Sequence, residues 1–236
     1  STTCYESLAT WQNYPMPART SSFAAEFNAV AGVAGTDGLI GLSATPGTGF
    51  ADYAVLVRFN VSGYIDARNG DAYAADTPVA YTPGKRYHFR VVVNVPARNY
   101  SVYVRPDGAG SETLVASNCA FRTEQNFTTT FSNWGLVADI GSLQVCDFNS
   151  ATIIMPGELS VTPSAGLASS GKPGGPFSPA NATYTLTNTG GQPINWTAGK
   201  TQNWITLSKT EGTLAAGATD TVTVSFNSAA NSLAVG

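Results

Sequence analysis

Eight side chains between residues 58 and 105 are of types that hold or transform polar ligands: Arg58, Tyr64, Asp66, Arg68, His88, Arg90, Tyr103 and Arg105. Such a set suits two kinds of chemistry. In the first, planar aromatic rings cover the apolar side of a sugar ring while fixed donors and acceptors meet its hydroxyls. The rigid fork of arginine can also clamp a uronate carboxylate in two places. In the second, a uronate polymer is cleaved by elimination, with His88 or Tyr103 as base and Arg58 or Arg90 neutralising the carboxylate.

Other reactions find no residues. A retaining glycosidase needs two carboxylates roughly 5–5.5 Å apart, which a strand supplies as acids at alternate positions, and Asp66 has no acid two residues away on either side. The segment "GLSAT" at 41–45 misplaces the second glycine of a serine nucleophile motif, and "LASSGK" at 167–172 reads as a loop. Phosphate-loop, HExxH and dinucleotide fingerprints are absent. In "YIDARNGDAY", 64–73, counting from Asp66 puts Arg68 and Gly70 where a calcium loop needs oxygen ligands. The same stretch reads well as a hairpin tip, with Asn69-Gly70 at positive φ. Asp37 in "GTDG" and Asp52 in "GFADY" are candidates for loop-bound calcium, although acids in loops more often cap turns. No catalytic residue, metal ligand or cofactor is assigned.

The elements that must carry the eight residues are strands. Side chains alternate between the faces of a strand. Over 54–59 this sets Val55, Val57 and Phe59 against Arg58, and over 64–68 Ile65 and Ala67 against Tyr64, Asp66 and Arg68. Over 87–95, Tyr87, Phe89, Val91, Val93 and Val95 oppose His88 and Arg90. Over 100–105, Tyr100, Val102 and Val104 oppose Tyr103 and Arg105. If the four strands share a sheet, the eight polar groups form one surface, the concave face of a curved jelly roll. The competing reading is a cross-strand charge ladder on an ordinary solvated face. Trp11 and Trp134 read as core residues; Trp196 and Trp204 fit core or surface.

Many short alternating segments, broken at Gly, Pro and Asn about every ten residues, predict an all-β chain. All eight arginines and the single histidine precede residue 151, and the remainder carries only Lys172, Lys200 and Lys209 against Glu158, Glu211 and Asp220. That step marks a domain boundary. The prediction is a jelly-roll β-sandwich over 1–152 and a smaller immunoglobulin-like β-sandwich over 158–236. The second ends on "TVTVSFNSAANSLAVG" with no closing strand, so the natural chain is expected to continue. A net charge of −3 argues against nucleic acid and anionic membrane surfaces, and no apolar run of about 18 residues is present. One histidine and no CxxC make zinc a poor fit. The three cysteines predict one disulfide. Cys119–Cys146 is the first choice, because both lie near the C-terminal strands of one domain. Cys4–Cys146 competes, because first and last strands of sandwiches often pair, and three reduced thiols is the third alternative.

"YTLTNTGGQPINWT", "WITLS" at 204–208 and "GTLAAGATDTVTVSF" closely resemble the BACON domains of secreted bacterial proteins. That resemblance implies an immunoglobulin-like fold beside a catalytic domain of an extracellular enzyme. "GYIDARNGDAYAADTPVAYTPGKRYHFRVVV" resembles the concanavalin A-like, laminin-G-like jelly-roll group, which includes lectins, carbohydrate-binding modules and lyases. The glutamine-histidine and tyrosine-lysine motifs of jelly-roll lyases are missing. The resemblances imply a secreted, non-catalytic fragment that binds polysaccharide, with acidic polymers among the candidates, and is covalently linked to a catalytic domain. The alternatives are a lyase acting on a uronate-containing glycan and a purely structural spacer.

Overall fold

The structure is a computed structural model describing residues 3–233. It divides into two compact units, Ser1–Ile154 and Met155–Gly236. Both are built from strands, and among the described residues no helix is long and apolar enough to cross a membrane.

The first unit has the strands β1 (Cys4–Glu6), β2 (Gln12–Arg19), β3 (Phe23–Ala31), β4 (Asp37–Ser43), β5 (Val55–Phe59), β6 (Tyr64–Asn69), β7 (Ala72–Ala80), β8 (Arg86–Asn94), β9 (Asn99–Pro106), β10 (Thr113–Ala120), β11 (Phe131–Ile140) and β12 (Leu143–Thr152). They form two six-stranded antiparallel sheets, a first in the order β1-β12-β3-β8-β9-β10 and a second in the order β2-β11-β4-β5-β6-β7. Each sheet thus pairs a run of sequential hairpins with strands from the two ends of the unit, the interleaving of a jelly roll. The core between the sheets follows the alternation of the sequence. Phe23, Ala25, Phe27, Ala29, Phe89, Val91, Val93, Tyr100, Val102 and Val104 come from the first sheet, and Ile40, Leu42, Val55, Val57, Phe59, Ile65, Ala67 and Leu136 from the second. Trp134 joins this core at 3% exposure.

The disulfide joins Cys4 to Cys146, correcting the expected Cys119–Cys146 pair. The sheet order explains why. β12 lies beside β1, and Cys4 sits directly opposite Cys146 in register. β10 is at the far edge of the same sheet, where Cys119 is buried as a free thiol.

The hairpin at 64–73 is present, one residue out of the expected phase. Asn69 pairs with Ala72, so the two-residue loop is Gly70-Asp71. Gly70 takes φ +58, and Asn69 is not among the positive-φ residues. Glycine at the first central position is what a type II′ turn requires.

On the outer face of the second sheet a smaller apolar layer forms. Residues 44–54 fold back so that Tyr53 lies against Gly41 and Gly135. A Cβ at those glycines would come within 2.4 and 2.5 Å of its ring and hydroxyl. Tyr53 donates to Asn13 Oδ1 at 2.7 Å, and Trp11 stacks on it at 4.0 Å, with Phe50 against the edge of Trp11. Trp11 is therefore half-buried in this outer layer rather than in the main core.

The second unit is a smaller antiparallel sandwich. Its strands are β13 (Leu159–Thr162), β14 (Ser170–Gly171), β15 (Phe177–Ser178), β16 (Asn181–Asn188), β17 (Ile194–Thr197), β18 (Ile205–Leu207), β19 (Glu211–Leu214) and β20 (Thr219–Phe226). A four-stranded sheet β13-β16-β20-β18 is accompanied by the pairs β14-β15 and β17-β19. Leu186, Trp196, Leu214 and Val222 form its core, and Trp204 lies half-exposed against Phe226. The expected continuation of the chain past Gly236 falls beyond residues 234–236, which lie outside the described residues.

Candidate functional site

The eight candidate residues do not share a sheet. β5 and β6 belong to the second sheet, β8 and β9 to the first, and the outward faces of the two sheets point away from the common core. This corrects the expectation of one surface. The crossover falls between β7 and β8, so strands next to each other in sequence land in different layers.

On the first sheet, His88 stands opposite Arg105 and Arg90 opposite Tyr103. The Arg90 guanidinium lies 4.0 Å from the Tyr103 ring centroid. It meets Glu112 through Nε at 3.0 Å and Nη2 at 2.6 Å, and this pairing holds the Glu112 carboxyl below the usual carboxylate range. His88 places Nδ1 3.3 Å from Asn28 Oδ1 and Nε2 3.8 Å from Glu26 Oε2. Arg86 pairs with Asp107 at 3.3 Å, over a small hollow that Arg105 also lines. This face has the form of a cross-strand charge ladder, in which most cations already face an acid. His88, Arg90 and Tyr103 are also not brought together with Arg58, as the elimination set would need.

The second sheet is different. Arg58 and Asp66 are directly opposite in register. The carboxylate of Asp66 accepts from Arg58 Nε at 2.9 Å, Arg58 Nη2 at 2.8 Å and Asn60 Nδ2 at 2.8 Å. Asp66 is 8% exposed and its acceptor sites are largely occupied, so its place is to hold Arg58. The Arg58 guanidinium then lies 3.8 Å from the Tyr73 ring centroid, and that of Arg68 5.2 Å from the same ring. Tyr64 is exposed at the other end of β6 and stands outside the cleft that the others line.

That cleft, about 260 Å³, is lined by Asp37, Leu39, Phe50, Arg58, Arg68, Tyr73, Arg122 and Asp139. Its polarity follows from strand order. β11 and β4 bring Asp139 and Asp37 to one side, β5 and β6 bring Arg58 and Arg68 to the other, and Tyr73 comes from β7 beyond them. Arg68 Nε donates to the Gly70 carbonyl at 3.0 Å; among the described residues no carboxylate lies within salt-bridge distance of its guanidinium. Arg122 arrives from the loop after β10. Its Nη2 donates to Glu124 at 3.1 Å, while Nε lies 2.9 Å from the same carboxylate but out of line for a hydrogen bond. Asp37 Oδ1 is buried without a hydrogen-bond partner. Desolvation pushes its carboxyl up, against the pull of Arg58 and with the repulsion of Asp139 and Asp66. Burial likewise raises the Tyr73 phenol, opposed by Arg58, Arg68 and Arg122. Asp52, the other calcium candidate, turns Oδ2 onto the backbone amides of Thr48 and Gly49 at 2.7 and 2.9 Å, and those bonds lower its carboxyl. Among the described residues no cluster of three or more potential metal ligands occurs.

Sequence reasoning placed Arg58 and Arg68 but passed over Tyr73, Phe50 and Arg122. Tyr73 carried a usable signal, because the two-residue hairpin loop forces it opposite Arg68. Phe50 and Arg122 sit in loops, where alternation says nothing.

Residues 176–235 match the family model described as the Viral BACON domain. A relative named gellan lyase from Bacillus sp is 30% identical over 129 residues, 55% of this chain but 5% of that protein. This chain thus spans a small fraction of the length of the relative it matches. Among solved structures, a sialidase aligns with a TM-score of 0.41 at 11% identity, over 64% of this chain and 15% of that one. Lectin II from Ulex europaeus aligns with a TM-score of 0.40 at 13% identity, over 55% and 72%. Likenesses at this level carry no functional argument.

Proposed function

We propose that this chain is a non-catalytic carbohydrate-binding and spacing fragment of a secreted bacterial multidomain protein, and that it holds an acidic polysaccharide in the arginine cleft of the second sheet. The observation that carries the proposal is Arg68. Its charge stands in a cleft beside Tyr73 and Phe50 with no carboxylate among the described residues at salt-bridge distance, while Asp66 fixes the neighbouring Arg58 in place. A guanidinium so placed binds a uronate carboxylate through two parallel N–H groups, and the rings cover the sugar's apolar side. The relative named gellan lyase supports a polysaccharide partner, and the share it exceeds this chain by supports a linked catalytic domain. The Cys4–Cys146 disulfide supports an oxidising, extracellular setting.

Two features favour binding over elimination. Among the described residues that line the cleft there is no histidine or lysine, and burial raises the Tyr73 phenol, the wrong direction for a base at neutral pH. The test is calorimetric titration with a glucuronate-containing polymer and with a neutral glucan, beside an ultraviolet assay for unsaturated uronate. The expected result is salt-sensitive binding of the acidic polymer without product. Product formation would establish the lyase instead, and no binding would leave the spacer.

A further inference from the structure

A second cleft, about 410 Å³, opens where the β1-β12 edge of the first sheet parts from the β2-β11 edge of the second. Its walls include Tyr5, Tyr14, Trp134, Phe148, Asp147 and Asn149. Its form comes from a bulge. The pairing of β12 with β3 slips between Cys146 and Asn149, and Asp147 takes φ +57, in the left-handed region that non-glycine residues rarely occupy. The extra residue sets Phe148 flat against Trp134, with ring centroids 4.4 Å apart and planes 6° from parallel. Tyr14 lies over the same tryptophan at 4.7 Å, and Tyr5 meets Tyr14 at 4.1 Å. Trp134 is buried, whereas Tyr5 and Tyr14 are half-exposed, so two phenol rings backed by an indole face the opening.

The polar groups around these rings are under-used. Among the described residues neither the Tyr5 nor the Tyr14 hydroxyl, nor the exposed Asn149 amide, has a hydrogen bond given by the structure. Asp147 accepts from the Thr3 backbone amide and from Asn28 Nδ2, both at 3.3 Å, which leaves lone pairs on both oxygens. Among the described residues no basic side chain lines the cleft. Arg19, nearby, is bound to Ser150 and Thr152. Pro15 and Pro17 lie in β2, an edge strand, and the N–H groups they lack disfavour the addition of a further strand.

We propose that this cleft is a second carbohydrate-contact site, and that it takes a neutral pyranose. Two phenol rings inclined at 47° to each other suit the apolar side of an equatorially substituted sugar ring, and Asp147, Asn149 and the phenol hydroxyls suit its hydroxyl groups. The carboxylate of Asp147, with no cationic side chain among the described residues that line the cleft, disfavours a uronate. Charge thus separates the two clefts of this unit, and the second does not depend on the arginine cleft being a binding site.

The test uses the whole chain, titrated with cellohexaose, laminarihexaose and mannohexaose and followed by calorimetry and tryptophan fluorescence. At least one is expected to bind and to perturb Trp134. Tyr14→Ala should abolish that binding. Asn149→Ala, at an exposed position that leaves the fold intact, should weaken it about 3–10-fold, the loss of one hydrogen bond, and Arg68→Ala should leave it unchanged. Failure of all three oligosaccharides to bind below about 10 mM would overturn the proposal. So would binding that is indifferent to Tyr14→Ala and Asn149→Ala, or that disappears with Arg68→Ala.

Discussion

Removing Asp66 should harm the fold and the arginine cleft through a single pair. Asp66→Ala deletes the acceptor of three hydrogen bonds, two from Arg58 and one from Asn60, and leaves a guanidinium whose side chain is 24% exposed. A fully buried orphaned charge costs about 3–5 kcal/mol. Arg58 keeps partial contact with water and the face of Tyr73, so the expected loss is lower, about 2–3 kcal/mol. Arg58→Met should cost about as much, because it strands the Asp66 carboxylate, whose side chain is 11% exposed and keeps only the Asn60 amide as a donor. The double variant should then recover about 1.5–2 kcal/mol of coupling. Urea unfolding of the four proteins, followed by tryptophan fluorescence with the transitions of the two units fitted separately, measures this. Coupling below about 0.5 kcal/mol, the value of an exposed surface pair, would show that Asp66 does not position Arg58.

Three further outcomes are expected. Gly135→Ala places a Cβ 2.5 Å from the Tyr53 hydroxyl and 2.9 Å from the Gln12 carbonyl; the first unit should lose about 1–3 kcal/mol in the same unfolding assay. Cys119 is buried and its thiol is pushed up to about 11, so it should resist thiol reagents near neutral pH until the first unit unfolds. Asp37 has a carboxyl raised by burial. Its folded state therefore holds a proton that the unfolded state releases, and stability should fall as pH rises from the ordinary carboxylate value through the raised one. Binding of an acidic glycan should weaken over the same rise, as a second negative charge appears in the cleft. Asp37→Asn should flatten both profiles in pH-dependent unfolding and titration, and unchanged profiles would remove Asp37 from the account.

The sequence shows which side of each strand is apolar, because that alternation is local. Phe89, Val91 and Val93 against His88 and Arg90 were legible for that reason. It does not show which strands share a sheet. The turn from β7 to β8 crosses between layers, which parts Arg58 and Arg68 from His88 and Arg90. The disulfide follows the same rule, since Cys146 meets Cys4 through the pairing of the first and last strands rather than through nearness in the chain. The hairpin at Gly70 was legible as a turn, but Asn69 and Gly70 both favour such positions, and only the register decides between them. The arginine cleft needed Tyr73 from the neighbouring strand and two loop residues, Phe50, which packs on the Leu39 and Tyr53 cluster, and Arg122, whose backbone amide donates to the Ala54 carbonyl at 2.9 Å.

Arg68→Ala and Arg105→Ala each remove one positive charge, from opposite outer faces of the same unit. Their dissociation constants for a glucuronate polymer, measured side by side in low salt, separate a built cleft from general electrostatic attraction. The account predicts at least a tenfold loss for Arg68→Ala, the value of about one charge-assisted hydrogen bond, and less than about a twofold change for Arg105→Ala. Equal losses in the two variants, or a loss confined to Arg105→Ala, would contradict it.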